Sequence, residues 1–430
     1  MTTLTTESVN WSTAQKVAFR FFLIFFILYI FFNPNGVLPY SDNLFGIYIE
    51  PFHKLIPWLA KHVLHKPKPI TIFTNGSGDT TYDYLIILFM TVLSAIGAII
   101  WSVTGRNTKH YNKLLYWLTT VLRYYVAITM MGYGFFKVIK PQFPSPSFSR
   151  LLEPVGNMSP MGLAWTYMGY STGFNYFTGF AEILTGALLF CRNTTTLGAI
   201  VGFVVAGNIM AINYCFDVPV KLLSTFLVLM CLFLMVRDTR RLINFFFKNK
   251  DAQPSNLSPH RFKTRWKNIT LITLKYLLIA YTVFFDYTGA ISAQKQFGIK
   301  AKKPPLYGIY NVETFVKNKD TLPPLKTDTN RWDKLMISYT GGAQIRLIND
   351  SMKYYSFKAD TVKHTIEANT YADTVHKFML TYTLQKPDIM VLKGMWKKDS
   401  VNIRLHRLDP KGFPLLKRGF HWVNEFPFNK

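Results

Sequence analysis

Long apolar stretches separated by short polar breaks fill the first two thirds of the chain, after which the apolar period drops to two. A membrane-spanning helix needs about 20 mostly apolar residues to cross roughly 30 Å of hydrocarbon. Runs of this kind predict seven spans, at about 16–33, 83–104, 114–138, 174–191, 196–215, 219–236 and 268–289. The first contains FRFFLIFFILYIFF, lacks a small-residue cleavage site and ends at Asn33-Pro34-Asn35-Gly36. It therefore reads as a retained anchor rather than a signal peptide.

Two segments between the runs carry their own pattern. Residues 44–65 predict an amphipathic helix started or broken by Pro51. It either lies in the interface, with Phe52, Leu55 and Trp58 at the headgroup boundary, or packs on the bundle rim. Residues 141–173 are rich in Pro, Gly and Ser, with apolar stretches too short to span, and predict a re-entrant or interfacial segment.

After residue 300 the runs KLMISYT, AQIRLIN, MKYYSF, HKFMLTYTL, DIMVLKGMW and VNIRLHRL alternate apolar and polar positions. Gly341-Gly342 is a hairpin signal. Asn349-Asp350-Ser351, Lys386-Pro387 and Lys398-Asp399 read as further turns. Six to eight short strands in this order predict an antiparallel barrel or sandwich. The Pro-Pro pairs at 304–305 and 323–324 look like linker breaks. The expected organisation is a two-span segment with its interfacial helix (1–110), a four-helix membrane domain (111–240), a basic loop (241–267), a last transmembrane helix (268–289), a linker (290–330) and a β-domain (331–430).

Composition agrees with this division. The chain is 49% apolar and only 17% charged, against roughly a quarter in soluble proteins, yet its formal charge is +26. Residues 290–430 hold 24 Lys and Arg and 12 Asp and Glu, a net of +12, which leaves +14 for the remainder. Much of that remainder sits in the loops 105–113, 192–195 and 237–267, which include Arg192, Arg237, Arg240 and Arg261. These loops share one side if there are seven spans, and positive loops mark the cytoplasm. The N-terminus is then cytoplasmic and the β-domain extracytoplasmic. The +12 of residues 290–430 suits anionic headgroups or envelope polymers, or is simply a solvated basic surface. On that side nucleic acid is not an expected partner.

Charged and polar residues inside spans are costly and are the first place to look for function. Arg123 lies nine residues into the third run, Glu182 eight into the fourth and Asn208 twelve into the fifth, so roughly 14, 12 and 18 Å deep at about 1.5 Å per residue. They are expected to form one layer near the midplane. Lys137, Asn213, Asp217 and Lys221 lie near the outer ends of the runs and are expected to rim an outward-facing cavity. Two alternatives stand for this set: a ligand or proton site, or a buried ion pair that only fixes helix register. Gly198-x-x-x-Gly202 and the glycines at 132, 134, 179 and 186 predict close helix packing.

These motifs carry a resemblance. The stretch 120–236, with Arg123 followed by GYGFFKVIK, then GFAEILTGALLF and TLGAIVGFVVAGNIMAINY, then DVPVK and a last apolar helix, resembles the DoxX family of bacterial membrane proteins. The Phe180-x-Glu182-x-x-x-Gly186 element is its most specific part. The resemblance implies a four-helix core in a bacterial inner membrane, and an accessory role beside a membrane oxidoreductase. A quinone is the cofactor it brings to mind. The residues themselves argue against other redox groups. No His falls within a predicted span to ligate a haem, and Cys191, Cys215 and Cys231 are too dispersed for an iron–sulfur cluster or a zinc site. No glycine fingerprint for a dinucleotide such as NAD follows a strand. The expected function is therefore a quinone- or lipid-binding accessory subunit, or a non-enzymatic anchor that presents the β-domain. Lys137 alone is placed to act as a lysine base in a transferase-like bundle.

Overall fold

The computed structural model describes residues 11–35, 37, 42–72, 78–251, 262–373 and 375–429. Gly36 of the first run's terminus and Arg261 of the basic loop lie outside the described residues. The chain divides into two compact units. One runs up to Gln142 and resumes over Thr172–Ser292; the other joins Phe143–Ser171 to the chain from Ala293 onward.

The first unit is helical. All seven predicted runs form helices: α1 (Thr13–Phe32), α3 (Thr81–Thr104), α4 (Asn112–Val138), α7 (Thr172–Phe190), α8 (Thr195–Cys215), α9 (Lys221–Val236) and α11 (Arg265–Gln296). Between α1 and α3 lies α2 (Asp42–His62), which continues through Pro51 and Pro57 instead of starting at the first of them. Five helices (α1, α3, α4, α8 and α11) are long and apolar enough to cross a membrane. A sixth results if α9 and the short α10 (Thr239–Phe246), which meet at 81°, are one broken span. Alone, α9 has 16 residues, short of the 20 or so a span needs. Asn175 and Glu182 make α7 too polar to qualify.

Helix α4 is the centre of this unit. It packs on α1, α7 and α9, and Leu122, Val126, Ala127 and Met130 are almost wholly buried. The buried Arg20 of α1 is tied down locally, donating to the Tyr111 hydroxyl, Ser102 Oγ and the Gly105 carbonyl (2.7–3.2 Å). The basic loop 241–267 is partly helical, since α10 extends into it and α11 starts at Arg265.

The second unit is a closed antiparallel barrel. Its eight main strands are β1 (Gly308–Lys317), β3 (Trp332–Tyr339), β4 (Gly341–Leu347), β5 (Met352–Asp360), β6 (Thr365–Thr370), β7 (Phe378–Lys386), β8 (Ile389–Trp396) and β9 (Asp399–Leu408). They follow one another in a meander, and β1 pairs with β9, from Ile309 opposite Leu408 to Lys317 opposite Val401. A two-residue β2 (Asp320–Thr321) folds back on β1. Gly341, at φ +82°, turns the chain between β3 and β4.

The linker expected over 290–330 is a correction. Its Pro-Pro pairs flank β1 and β2, whose Ile309, Tyr310, Val312 and Phe315 are buried, so the barrel begins at Gly308 rather than near 331. The barrel interior is filled by side chains such as Leu335, Ile345, Ile366, Leu392 and Ile403, as eight strands lead one to expect.

Residues 143–171 hold α5 (Phe148–Leu152) and α6 (Pro160–Tyr170). Phe148 of α5 packs with Ile309 and Met336 on the barrel's outer wall, and its ring lies 4.9 Å from that of Tyr307. This segment therefore joins the barrel unit, a contact its own sequence pattern does not reveal. A last single turn, α12 (Pro414–Lys417), follows the strands.

Candidate functional site

The α4–α7 seam is built on glycine. A Cβ on Gly134 would stand 2.6 Å from Ile183 Cγ1 and 2.8 Å from the Gly179 carbonyl oxygen, and one on Gly179 would stand 2.9 Å from the Gly134 oxygen. The missing side chains let the two backbones touch. In this seam the Lys137 ammonium of α4 donates to Glu182 Oε1 of α7, with side-chain exposures of 6% and 1%. The ammonium also lies 5.9 Å from the centre of the Tyr133 ring. Glu182 Oε2 accepts no hydrogen bond among the described residues. The arrangement is a desolvated ion pair with one acceptor left over.

Arg123 does not join this pair. The helices are antiparallel, with Gly134 against Gly179 and Ala127 against Gly186. Glu182 is therefore level with α4 about eight residues beyond Arg123, which puts them about 12 Å apart along the axis. Depths counted inward from the span ends mislead here, because the first turns of α4 run past the end of α7, where Tyr124 meets Phe190 (ring centres 5.8 Å apart). Helical side chains also lean toward their own N-terminus. Arg123 accordingly reaches the start of α8, where its Nη1 donates to Thr195 Oγ1 at 3.3 Å.

The other expected residues separate as well. Asn208 lies on the exposed side of α8, so the expected layer of three does not form. Asn213 is buried and its Nδ2 donates to the Val220 carbonyl and Ser224 Oγ (3.1 Å each), holding α8 to α9. Lys221 meets Asp217 at 2.8 Å, but Asp217 is 84% exposed and such a pair contributes little. Lys137 is buried against Glu182 rather than on a rim shared with these three.

Some neighbours escape the sequence analysis. Asp79, from the segment before α3, accepts from the backbone N–H groups of Lys221 and Leu222 (2.6 and 2.9 Å) and so caps α9. Asp286 of α11 lies 3.4 Å from where a Cβ on Gly132 would be, and its Oδ2 accepts no hydrogen bond among the described residues. An acidic residue inside the seventh predicted span was the available signal for it.

The barrel unit holds a cleft of about 690 Å³. Phe148 and Leu151 of α5, with Leu306, Tyr307, Leu384 and Ile389, give it apolar walls, and Lys303, Arg407 and Lys411 stand among its lining beside Asp388 and Asp409. Arg407 Nη2 donates to the Tyr307 carbonyl at 2.8 Å, and the Lys303 ammonium lies 4.8 Å from the Tyr307 ring centre. Burial raises the hydroxyl pKa of Tyr307 and Tyr310, although Arg407 opposes it, so both stay neutral donors near neutral pH. A space of this size, largely apolar with a few fixed charges, suits an amphipathic small molecule.

Fold and site together define a protein whose helical part carries candidate membrane spans and a buried ion pair, followed by an eight-stranded barrel. A protein of Bacillus subtilis (strain 168) described as "Uncharacterized protein YwoB" is 36% identical over 144 residues, which are 33% of this chain and 88% of that protein. The chain belongs to the family of YwoB, and about two thirds of its length lies outside the matched stretch. No family model and no solved structure matches the chain.

Proposed function

We propose that the protein is a non-catalytic, seven-span inner-membrane protein whose extracytoplasmic barrel unit binds a lipid-like amphipathic molecule. The observation that carries this reading is the cleft of about 690 Å³ with its apolar walls and its excess of cations, Lys303, Arg407 and Lys411, over the carboxylates Asp388 and Asp409. An acyl chain would lie along Phe148, Leu384 and Ile389, and an anionic head would meet Lys303, Arg407 or Lys411. The +12 net charge of residues 290–430 favours the same class of ligand.

Connectivity supports the topology. Residues 143–171 follow α4, the barrel follows α11, and the two belong to one unit, so they share a side of the membrane. An even number of crossings must then separate them; α8 and α11 supply two, and the more polar α7 and the short α9 bring the proposed number to four. With α1, α3 and α4 the proposed count is seven, an odd number that favours a barrel opposite the N-terminus. The basic loops favour a cytoplasmic N-terminal side.

The test is native mass spectrometry of the full chain purified in mild detergent. A lipid-like adduct is expected on the wild type and is expected to be lost from Leu384→Arg and Leu416→Arg, which put charge on exposed cleft positions. Wild-type protein without any adduct, or variants that retain it, would refute the proposal.

A second reading follows from the DoxX resemblance: an accessory subunit of a membrane redox complex that holds a quinone. The unfilled acceptor at Glu182 Oε2 favours it, since a quinol hydroxyl has the donor that this atom lacks. Extraction of quinone from gently purified protein, together with a co-purifying oxidoreductase, would support it; finding neither would remove it.

A further inference from the structure

At the end of the bundle where α4 begins, three arginines converge on one small pocket. Arg123 comes from α4, Arg192 from the turn between α7 and α8, and Arg237 from the end of α9; Tyr116, Thr119, Thr120 and Thr195 complete the lining. No ion pair among the described residues involves Arg123 or Arg192. The acidic side chain at hand is Asp238, which is engaged by Arg241 at 2.8 Å, Arg237 at 3.5 Å and the Thr196 hydroxyl. Two half-buried guanidiniums therefore lack a carboxylate, and uncompensated charge of this kind is costly.

The hydroxyls, among them that of Tyr124, which accepts from Arg123, are neutral and do not balance it. Thr119, Thr120 and Thr195 donate their protons to carbonyls of their own turns (2.8–3.2 Å), while Thr195 and Tyr116 also accept from Arg123 and Arg192 at 3.3 Å. What remains open is arginine N–H, including Arg123 Nε, which has no acceptor among the described residues. The guanidiniums are held in place by rings: Arg123 lies 5.2 Å from the centre of Tyr124, and Arg192 lies 4.8 Å from that of Tyr116. The fixed guanidinium forks of Arg123 and Arg192, which have no carboxylate partner among the described residues, match the geometry of a phosphate oxyanion.

We propose that Arg123, Arg192 and Arg237 bind the phosphate of an anionic phospholipid headgroup. The enclosed part of the pocket is only about 20 Å³, room for a water or two, so the phosphate sits at the mouth with its ester substituents outside. The surroundings suit a lipid. Just past Arg237 the chain bends by 81° into α10, which exposes Ile243, Phe245 and Phe246 beside Arg240 and Arg241. A short helix with apolar and basic residues of this kind lies at the headgroup level. This site is separate from the barrel cleft and stands or falls independently of it.

The experiment is a thermal-shift and binding titration of the detergent-purified full chain with phosphatidylglycerol, phosphatidylcholine and inorganic phosphate. Phosphatidylglycerol is expected to bind and to raise the melting temperature, with phosphatidylcholine doing neither. Losing one charge-assisted contact weakens binding by roughly tenfold to a hundredfold, so R192Q, at a partly exposed position, should lose that much affinity and R123Q at least as much. Arg123→Lys keeps the charge without the fork and should recover only part. Equal response to both lipids, or unchanged affinity in folded R192Q, would overturn the proposal. Saturation by inorganic phosphate with no added effect of phosphatidylglycerol would overturn the lipid as its source.

Discussion

Lys137 of α4 donates a hydrogen bond to Glu182 of α7 inside the seam where Gly134 and Gly179 touch, and neither side chain has meaningful access to solvent. Removing one member strands the other as a buried charge, which costs roughly 3–5 kcal/mol, whereas replacing both with apolar groups of similar size is near neutral. Lys137→Met and Glu182→Met are each expected to destabilise the helical unit by about that much, and the double variant to regain most of it. Denaturant unfolding in detergent, followed by far-ultraviolet dichroism, gives the cycle. Additive losses would mean that the pair is not coupled.

The seam itself makes a separate prediction. Gly134→Ala places a methyl within 2.6–2.8 Å of Ile183 and the Gly179 oxygen, where backbone cannot yield cheaply. Overpacking of this kind costs about 1–3 kcal/mol. Gly207 of α8 has nothing within 4 Å of its added Cβ. Gly207→Ala should be neutral or slightly stabilising, because alanine is the better helix former by roughly 0.5–1 kcal/mol. Melting temperatures of the two variants test the contrast, and equal shifts would refute it.

Helix positions were legible because apolar runs of spanning length leave few alternatives, and each of the seven runs formed a helix. The turns at Gly341, Asp350 and Pro387 were legible for a similar reason, since their residues suit turn backbone. Two features were hidden. Pro-Pro pairs on both sides of β1 gave it the look of a linker, although its buried Tyr310 and Val312 belong to the barrel core. The partner of Glu182 was hidden because depth along a span does not fix how far one helix slides past its neighbour. That slide placed Lys137, not Arg123, opposite the carboxylate. Arg192 and Arg237 looked like topology signals in loops, and only the fold brings them beside Arg123.

Arg346 of β4 ties α5 to the barrel wall. Its Nε and Nη2 donate to Asp333 Oδ2 (2.9 and 2.5 Å), and its Nη1 donates to the Leu152 carbonyl at 3.2 Å, at the C-terminal end of α5. A cation at that end also complements the helix dipole. Arg346→Ala should leave the strands protected and loosen residues 148–152, with amide exchange there rising roughly tenfold to a hundredfold for the loss of one charge-assisted contact. Exchange that stays unchanged in α5 would show that Phe148 alone holds the segment.

Asp360, at the end of β5, accepts from the backbone N–H groups of Lys363 and Val362, both at 2.9 Å. These bonds favour the carboxylate and lower its pKa below the ordinary value of about 3.9. A folded-state pKa below the unfolded one gives stability that is present above the unfolded pKa and is lost as pH falls through the folded one. The β5–β6 turn should therefore be firm at pH 6 and weaken below about pH 4. Asp360→Asn keeps an acceptor but cannot titrate. Amide exchange in the turn of the full chain should be slower in wild type than in the variant at pH 6, and the difference should narrow as pH falls below about 4. A gap that does not narrow at all as the solution is acidified would mean that the turn depends on side-chain shape and not on the charge of Asp360.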